Sequence, residues 1–365
     1  MAESLAGPRP DGITLRGVMG LSKMVATGVL ALGVWLAGCG GETEPAGPTA
    51  ASAGSSATGA GAAGGAAGPA SSSSAGPGSG GSGVGGGSAA GTGGGGGGPG
   101  CVKSADPGHH ELPCEGGIVY DVEIPAACAQ MACGLVLDMH GLTMTGDTED
   151  ENTGMRALGQ ANDYIVVQPT APGTPPSWDQ ATHAPMVFAF VEELATAAGT
   201  DPKRAHAMGF SQGGGMTFRM VCDHADFFAS AAPAGAITGC AFSGADTPSE
   251  EVDILQVHGR TDAIVDFDGI AVPQRDAALA AWPFDAGVVL EDDGAHKATR
   301  WTTSSGTLFE FWEHDYEASS FILKGHCVPG GTDLDGFPFG YSCTDQGTFV
   351  FGELAMQFFL AHPKP

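Results

Sequence analysis

Apolar runs of two lengths alternate along the chain from residue 117 onward and set the predicted order of elements. Short runs that end in polar residues are typical of central strands in a parallel sheet, as in GLVLDMHG (134–141), YIVVQPT (164–170) and DILQVHG (253–259). Between them, PMVFAFVEELATAAG (185–199) has apolar residues at helical spacing and ends in a glycine stop signal. Strands alternating with helices predict an α/β fold with a mostly parallel sheet and helices on both faces.

Other segments complete this order. IVYDVEIP (118–125) alternates in the manner of an exposed antiparallel strand. TLFEFWEH (307–314) and SSFILKG (319–325) predict later strands, and GELAMQFFLAH (352–362) predicts a closing helix. The remaining predicted elements are a helix around ENTGMRALGQAN (151–162), a strand at RAHAMGF (204–210), a helix at MTFRMVCDHADFF (216–228) and the end of a further unit at AGAITG (234–239).

The first 39 residues have the pattern of a targeting segment. Arg16 and Lys23 precede an apolar run of about 15 residues, which suits a signal-peptide core and is shorter than a membrane span. The run ends in LAGC (36–39), which resembles the lipobox of bacterial lipoproteins and implies lipidation of Cys39. An ordinary secretory signal and an uncleaved anchor are the alternatives. All three readings predict a location outside the cytoplasm, at the outer membrane or cell surface or secreted.

Residues 40–100 differ in composition from everything after them. They are almost entirely Gly, Ala, Ser, Pro and Thr, with no aromatic residue. Such a segment cannot bury enough apolar surface to offset its chain entropy, so we predict a disordered linker. Residues 101–365 then form one domain of a size that suits a single α/β core.

The charge of the chain is strongly negative, with 14 Lys and Arg against 41 Asp and Glu and a formal net charge of −27. A basic patch is the usual footprint of a protein that binds nucleic acid, so this composition argues against nucleic acid as a partner. It argues equally against anionic lipid surfaces, which leaves a lipid anchor at Cys39 as the predicted membrane contact. We expect the protein to be a monomer.

Eight cysteines follow Cys39 and fall into four local couples. An even number of cysteines in an exported domain indicates disulfides rather than free thiols. A metal site at the couple Cys128/Cys133 is the alternative, but no second Cys or His pair at zinc spacing accompanies it. We predict that neighbours pair, as Cys101–Cys114, Cys128–Cys133, Cys222–Cys240 and Cys327–Cys343.

The stretch GFSQGGG (209–215) places Ser211 between a predicted strand and a predicted helix. A serine on a tight strand–turn–helix corner is the setting of a G-x-S-x-G nucleophile elbow, in which glycines permit close packing of the chain. The motif alone is weak evidence in a chain so rich in Gly and Ser. It needs a base and an acid.

Two further positions supply them in the order that this fold uses, serine, then acid, then histidine. Asp262 follows the strand 253–259 at once, and His326 follows the segment 319–325 within a Gly/Pro loop. Asp266 and Asp268 compete with Asp262 but lie further from the strand end. Five other histidines are placed in less suitable positions: His109 and His110 in an N-terminal loop, His206 mid-strand, His224 on a helix and His314 at a strand end.

A nucleophile of this kind also needs two backbone N–H groups for the developing oxyanion. One is expected from Gln212, the residue after the serine, and the other from Leu142 or Thr143 in the loop after DMHG. His140 in that motif precedes the serine, so we favour a role in shaping the loop or lining the substrate site over a role as base. His258 in QVHGR invites the same misassignment as a base.

Together, MHGLT, RAHAMGFSQGGG, LQVHGRTD and KGHCVPGG resemble the extracellular esterases that include polyhydroxybutyrate depolymerases and feruloyl esterases. The resemblance covers most of 117–365 and implies an α/β-hydrolase fold with Ser211, Asp262 and His326 as catalytic triad. Family members often have a proline where Asp266 stands and a tryptophan where Val328 stands. Trp178 in PSWDQ is a candidate replacement aromatic wall for substrate, or a buried anchor of its loop.

The resemblance implies a serine esterase that cleaves carboxylic esters through an acyl-enzyme, without metal or organic cofactor. The candidate substrates are polyhydroxyalkanoate oligomers, feruloyl or acetyl esters and short acyl esters. Two alternatives remain open at this point. One is a peptidase or thioesterase that uses the same site, and the other is a cell-surface binding protein that kept the fold without activity.

Overall fold

The structure, a computed structural model, describes residues 100–333, 340–344 and 347–365. The predicted signal peptide with Cys39, and the predicted linker up to residue 99, lie outside the described residues. No helix in these described ranges is long and apolar enough to cross a membrane.

Ten strands form one sheet. Their ranges are β1 Gly108–Pro113, β2 Val119–Ile124, β3 Gly134–Met139, β4 Tyr164–Thr170, β5 Ala205–Phe210, β6 Ser230–Ala234, β7 Asp253–Gly259, β8 Val288–Asp292, β9 His296–Thr302 and β10 Leu308–His314. The order across the sheet is β1-β2-β4-β3-β5-β6-β7-β10-β9-β8. The six strands from β4 to β10 pair in parallel, and two antiparallel strands flank them at each edge. The predicted α/β fold with a mostly parallel sheet is therefore confirmed.

Helices cover both faces of this sheet. They are α1 Gly146–Thr153, α2 Met155–Asn162, α3 Gln180–Ala198, α4 Gln212–His224, α5 Val272–Ala281 and α6 Phe351–Ala361. Strand β3 shows how one sequence serves both layers, because successive side chains point to opposite faces. Leu135 and Leu137 belong to the core cluster of α3 and α4, whereas Val136 belongs to the cluster of α2 and α6.

Several predicted elements differ from the structure. The segment 319–325 is a series of turns rather than a strand, with a single bridge between Asp262 and Lys324. Phe321 in this segment is 86% exposed, which no central strand of the sheet permits. His109 and His110 lie in strand β1 instead of a loop. The helix predicted around 151–162 is divided by Gly154, whose φ of 63° ends α1 in a left-handed cap.

Candidate active site

Ser211 occupies a sharp turn between β5 and α4. Its φ of 56° and ψ of −113° lie in a region that non-glycine residues rarely adopt, and such strain is typical of functional sites. The turn is held in place because the Ser211 N–H donates to the Ala234 carbonyl oxygen at 2.8 Å. The serine thus stands at the carboxyl end of β5, as the motif predicted.

The glycines around Ser211 are required by close backbone contacts. A Cβ on Gly213 would lie 1.7 Å from the Met139 carbonyl oxygen, and one on Gly209 would lie 2.4 Å from the same atom. On Gly214, a Cβ would lie 2.9 Å from the Ala234 carbonyl oxygen. Any side chain at these positions would push α4 away from the ends of β3 and β6. Glycine lets the helix start directly beneath the serine.

The structure brings the three predicted residues together. His326 Nε2 lies 3.0 Å from Ser211 Oγ, and His326 Nδ1 lies 2.7 Å from Asp262 Oδ2. All three side chains are buried. The His326 ring also packs on Phe210, with ring centroids 4.7 Å apart, so an aromatic residue supports the histidine although Val328 replaces the tryptophan common in the resembled family.

Four hydrogen-bond donors surround the Asp262 carboxylate. Its Oδ1 accepts from the backbone N–H groups of Ile264 and Val265 at 2.8 and 2.7 Å, and its Oδ2 faces the ring nitrogens of His326 and His258. Burial would raise the pKa of Asp262, but the hydrogen bonds from His258 and His326 outweigh burial and hold this pKa well below its usual range. An ionised Asp262 accepts the Nδ1 proton of His326, which leaves Nε2 free to accept the Ser211 proton.

The competing acids and histidines lie elsewhere. Asp266 and Asp268 are exposed, and Asp266 accepts the Gly269 N–H at the start of a helical turn. Burial lowers the pKa of both His206 and His314 to about 3. Neither histidine hydrogen-bonds to Ser211 in the described part of the chain.

The two candidate sources of oxyanion donors lie in different environments. Gln212 is the first residue of α4, where a backbone N–H has no partner within the helix. The Thr143 N–H donates to the Pro176 carbonyl oxygen at 3.0 Å, so it is already engaged. The Leu142 N–H has no acceptor among the described residues. The structure therefore favours Leu142 over Thr143 as partner of Gln212.

One loop, Pro176 to Trp178, connects these two donor segments. Besides the bond from Thr143, the Ser177 hydroxyl and the Trp178 N–H both donate to the Gln212 side-chain oxygen, at 3.3 and 3.1 Å. We name this segment the 176–178 loop. It links the turn after β3 to the start of α4.

His140 and Trp178, predicted to contact substrate, are instead buried in this scaffold. His140 has no exposed surface; its Nδ1 donates to the Gly141 carbonyl oxygen at 2.6 Å, and its Nε2 accepts the Ala171 N–H at 2.9 Å. Burial lowers its pKa to about 4, so the ring is neutral. Trp178 is 6% exposed, and its indole N–H donates to the His140 carbonyl oxygen at 2.9 Å. Both residues shape the loop, and their contact with substrate stays a prediction.

Four disulfides join the predicted neighbours: Cys101–Cys114, Cys128–Cys133, Cys222–Cys240 and Cys327–Cys343. The last begins at the residue after His326 and holds the histidine loop to the segment around Cys343. Among the described residues, no group of three or more His, Cys, Asp or Glu side chains is arranged to hold a metal ion.

Two further buried carboxyl groups, which were not predicted from the sequence, lie near the end of β3. Asp138 near the end of β3 accepts hydrogen bonds from Thr153 and Gln168, each at 2.9 Å. Glu149 from α1 is also buried, and its carboxyl oxygens have no hydrogen-bond partner in the described ranges. We call Asp138 and Glu149 the buried acid pair. The signal that could have revealed it is an aspartate inside the otherwise apolar run GLVLDM.

Comparisons with known proteins bear on this site. No family model matches the chain. It is 27% identical over 138 residues to the bifunctional acetylxylan esterase/xylanase XynS20E of Neocallimastix patriciarum, covering 37% of this chain and 20% of that protein. It is 37% identical over 82 residues to feruloyl esterase B of Piromyces equi, covering 22% and 15%.

A third relative is acetylxylan esterase A of Aspergillus ficuum, 25% identical over 157 residues, which cover 40% of this chain and 49% of that protein. The chain thus spans less than half the length of each of these relatives. An acetyl xylan esterase from Aspergillus awamori superposes with a TM-score of 0.46 and 14% identity, over 56% of this chain and 92% of that one. The part of the predicted resemblance that names feruloyl esterases is confirmed: this chain is similar in sequence to feruloyl and acetylxylan esterases.

Proposed function

We propose that this protein is a serine esterase that hydrolyses carboxylic esters. The observation that carries the proposal is the continuous chain Asp262–His326–Ser211, with distances of 2.7 and 3.0 Å and the serine on a strained turn. A serine hydroxyl becomes a competent nucleophile when a positioned base accepts its proton. The similarity to named esterases supports ester over amide or thioester chemistry.

The proposed mechanism uses this chain's own groups at every step. His326 Nε2 accepts the Ser211 proton while Ser211 Oγ attacks the ester carbonyl carbon, and Asp262 stabilises the resulting imidazolium. The backbone N–H groups of Gln212 and Leu142 donate to the oxyanion. The carbonyl carbon–alkoxy oxygen bond then breaks, and His326 gives its proton to the leaving alcohol. His326 then takes a proton from water, whose oxygen attacks the acyl carbon; as the bond from that carbon to Ser211 Oγ breaks, His326 returns the proton to Oγ and the acid leaves.

The proposed setting is extracytoplasmic, with the chain secreted or tethered through a lipid on Cys39. Four disulfides support an oxidising compartment. For the substrate, the relatives' names favour feruloyl esters or the acetyl esters of xylan over polyhydroxyalkanoate oligomers.

The test compares the purified protein with its Ser211→Ala variant on methyl ferulate, acetylated xylan, hydroxybutyrate oligomers and p-nitrophenyl butyrate. We expect turnover of at least one ester by the wild type and a loss of about 10⁴-fold or more in the variant. The ranking across the panel then gives the substrate class. Equal rates in the two proteins would contradict the proposal. Ligand binding without turnover in both would favour the binding-protein alternative.

A further inference from the structure

A second histidine lies behind the proposed triad. His258 is the last but one residue of β7 and is fully buried. Its Nε2 lies 2.9 Å from the Val265 carbonyl oxygen and 3.3 Å from Asp262 Oδ2. Both of these oxygens are acceptors, so Nε2 carries a proton, which it donates to the Val265 carbonyl oxygen while lying within 3.3 Å of the carboxylate. A ring nitrogen that was set aside as a misleading candidate base thus contacts the triad acid directly.

His258 competes with His326 for one oxygen of Asp262. The two backbone donors from Ile264 and Val265 occupy Oδ1, so Oδ2 is the oxygen that both imidazoles approach, His326 Nδ1 at 2.7 Å and His258 Nε2 at 3.3 Å. Each donor withdraws part of the negative charge from that oxygen. The charge available to stabilise a protonated His326 therefore depends on whether His258 also donates.

We propose that His258 is a positioning residue that makes His326 less basic by sharing Asp262 Oδ2 with it. The proposal rests on the proposed esterase function. Removing the His258 donor leaves the full charge of Oδ2 facing His326, which then holds its proton more tightly. The backbone donors on Oδ1 keep the carboxylate in place, so the expected change is one of basicity more than of geometry.

Other charged and titratable groups also lie near His258. His314 at the end of β10 interacts electrostatically with His258, and burial keeps its pKa at about 3, so it is neutral. Arg260 is paired with Asp315 and Glu313 at the surface. The Phe267 ring covers His258 at a centroid distance of 6.1 Å. His258 Nδ1 has no partner in the described part of the chain. His258 therefore acts on the triad through the contact of its Nε2 with Asp262.

The experiment compares His258→Leu, which removes the donor, with His258→Gln, whose amide nitrogen can take the place of Nε2. The matched control is His206→Leu, which removes an equally buried histidine that bonds to Ser230 and has no contact with the triad. Kinetics are measured on p-nitrophenyl butyrate from pH 5 to 10, and the His326 pKa is measured by NMR.

We expect His258→Leu to raise the pKa of His326 by about one unit. The rising limb of the plot of kcat/KM against pH should shift to higher pH by the same amount. At pH values near the lower end of this limb, the variant should be about tenfold less active than wild type. At pH values above the limb its activity should match that of wild type, and KM should change little throughout. His258→Gln should stay within about threefold of wild type, and His206→Leu should leave the limb unmoved. If His258→Leu does not fold, His258→Asn, whose amide is too short to reach Oδ2, takes its place.

An unshifted limb and an unshifted His326 pKa in a folded His258→Leu protein would overturn the proposal. So would an equal loss of rate at every pH, since that is the result of a merely structural histidine. The NMR measurement needs no turnover. A shifted His326 pKa in a protein without Ser211-dependent activity would therefore overturn the proposed function and leave the role of His258 standing.

Discussion

Asp262 and Asp138 are both buried aspartates near the carboxyl ends of parallel strands, yet their pKa values are displaced in opposite directions. Asp262 receives two backbone and two imidazole donors, and its pKa is held well below the usual range. For Asp138, burial dominates over the neutral donors Gln168 and Thr153 and raises the pKa to about 6. The number and charge of the donors, rather than burial itself, therefore decide which carboxyl is ionised.

Glu149 increases the contrast. Burial and the nearby charge of Asp138 raise its pKa well above its usual value. Two carboxyl groups that face each other without a cation between them cannot both ionise at low cost. The buried acid pair therefore holds protons at a pH where Asp262 has none.

The largest expected effect is the difference in kcat between a variant that neutralises Asp262 and one that neutralises Asp138. Asp262→Asn removes the charge that stabilises protonated His326 and favours the wrong tautomer, so kcat should fall by about 10⁴-fold. Asp138→Asn keeps the hydrogen-bonding shape of a side chain that contacts neither Ser211 nor His326, and kcat should stay within about threefold of wild type. Ester turnover at pH 7.5 measures both. Similar losses in the two variants would show that the buried acid pair belongs to the catalytic machinery.

A smaller effect concerns the dependence of stability on pH. Asp138 binds its proton more tightly when folded, so the free energy of unfolding should fall as pH rises from about 4 to about 6. Asp262 acts in the opposite sense, since its contribution is present above about pH 4 and is lost as pH falls below that value.

Thermal unfolding followed by circular dichroism between pH 4 and 7 separates the two aspartates. Asp138→Asn should reduce the fall in Tm across this range by an amount on the order of 5 °C relative to wild type. Asp262→Asn should instead reduce the loss of stability in acid below pH 4. A wild-type Tm that rises steadily from pH 4 to 7, with no change in Asp138→Asn, would contradict the raised pKa.

The smallest effect concerns the helix that brings Glu149 to Asp138. Helix α1 begins with a capping box, in which Thr145 Oγ1 accepts the Thr148 N–H and Thr148 Oγ1 accepts the Thr145 N–H. Thr145→Ala should lower the free energy of unfolding by about 1 kcal/mol and Tm by about 2–4 °C, with unchanged kcat. Thr145→Ser keeps the cap and is the control. A large loss of activity in Thr145→Ala would mean that α1 positions the active site.

The central strands were predictable because their signal is strong. Each of β3, β4 and β7 is a buried apolar run. Ser211 directly follows β5, and Asp262 is the first acid after β7, so chain order alone placed them at one edge of the sheet. His326 was found for a different reason. The segment before it is apolar but exposes Phe321 and contains Lys324 at a φ of 47°, so the choice of His326 rested on a predicted strand that the structure describes as turns.

The missed elements carry weak patterns. Strand β8 exposes all five of its residues, and β1 alternates half-buried and exposed positions over only six residues with two histidines. Neither has a buried side that a periodicity could reveal, because their neighbours in the sheet hold them by backbone pairing. Likewise, the contact of His258 with Asp262, only four residues further along the chain, depends on side-chain orientation that spacing in the sequence does not specify.

The 176–178 loop has a consequence for how much the site must rearrange during a reaction. Its bonds to Thr143 and to the Gln212 side chain fasten together two segments that are far apart in the chain. The proposed oxyanion donors are then oriented by folding, before any substrate arrives, and fixed dipoles of this kind need no reorganisation as negative charge develops. An ester that enters this site meets N–H dipoles that already point at the position of the oxyanion. Water molecules in bulk solvent would first have to reorient to give the same stabilisation.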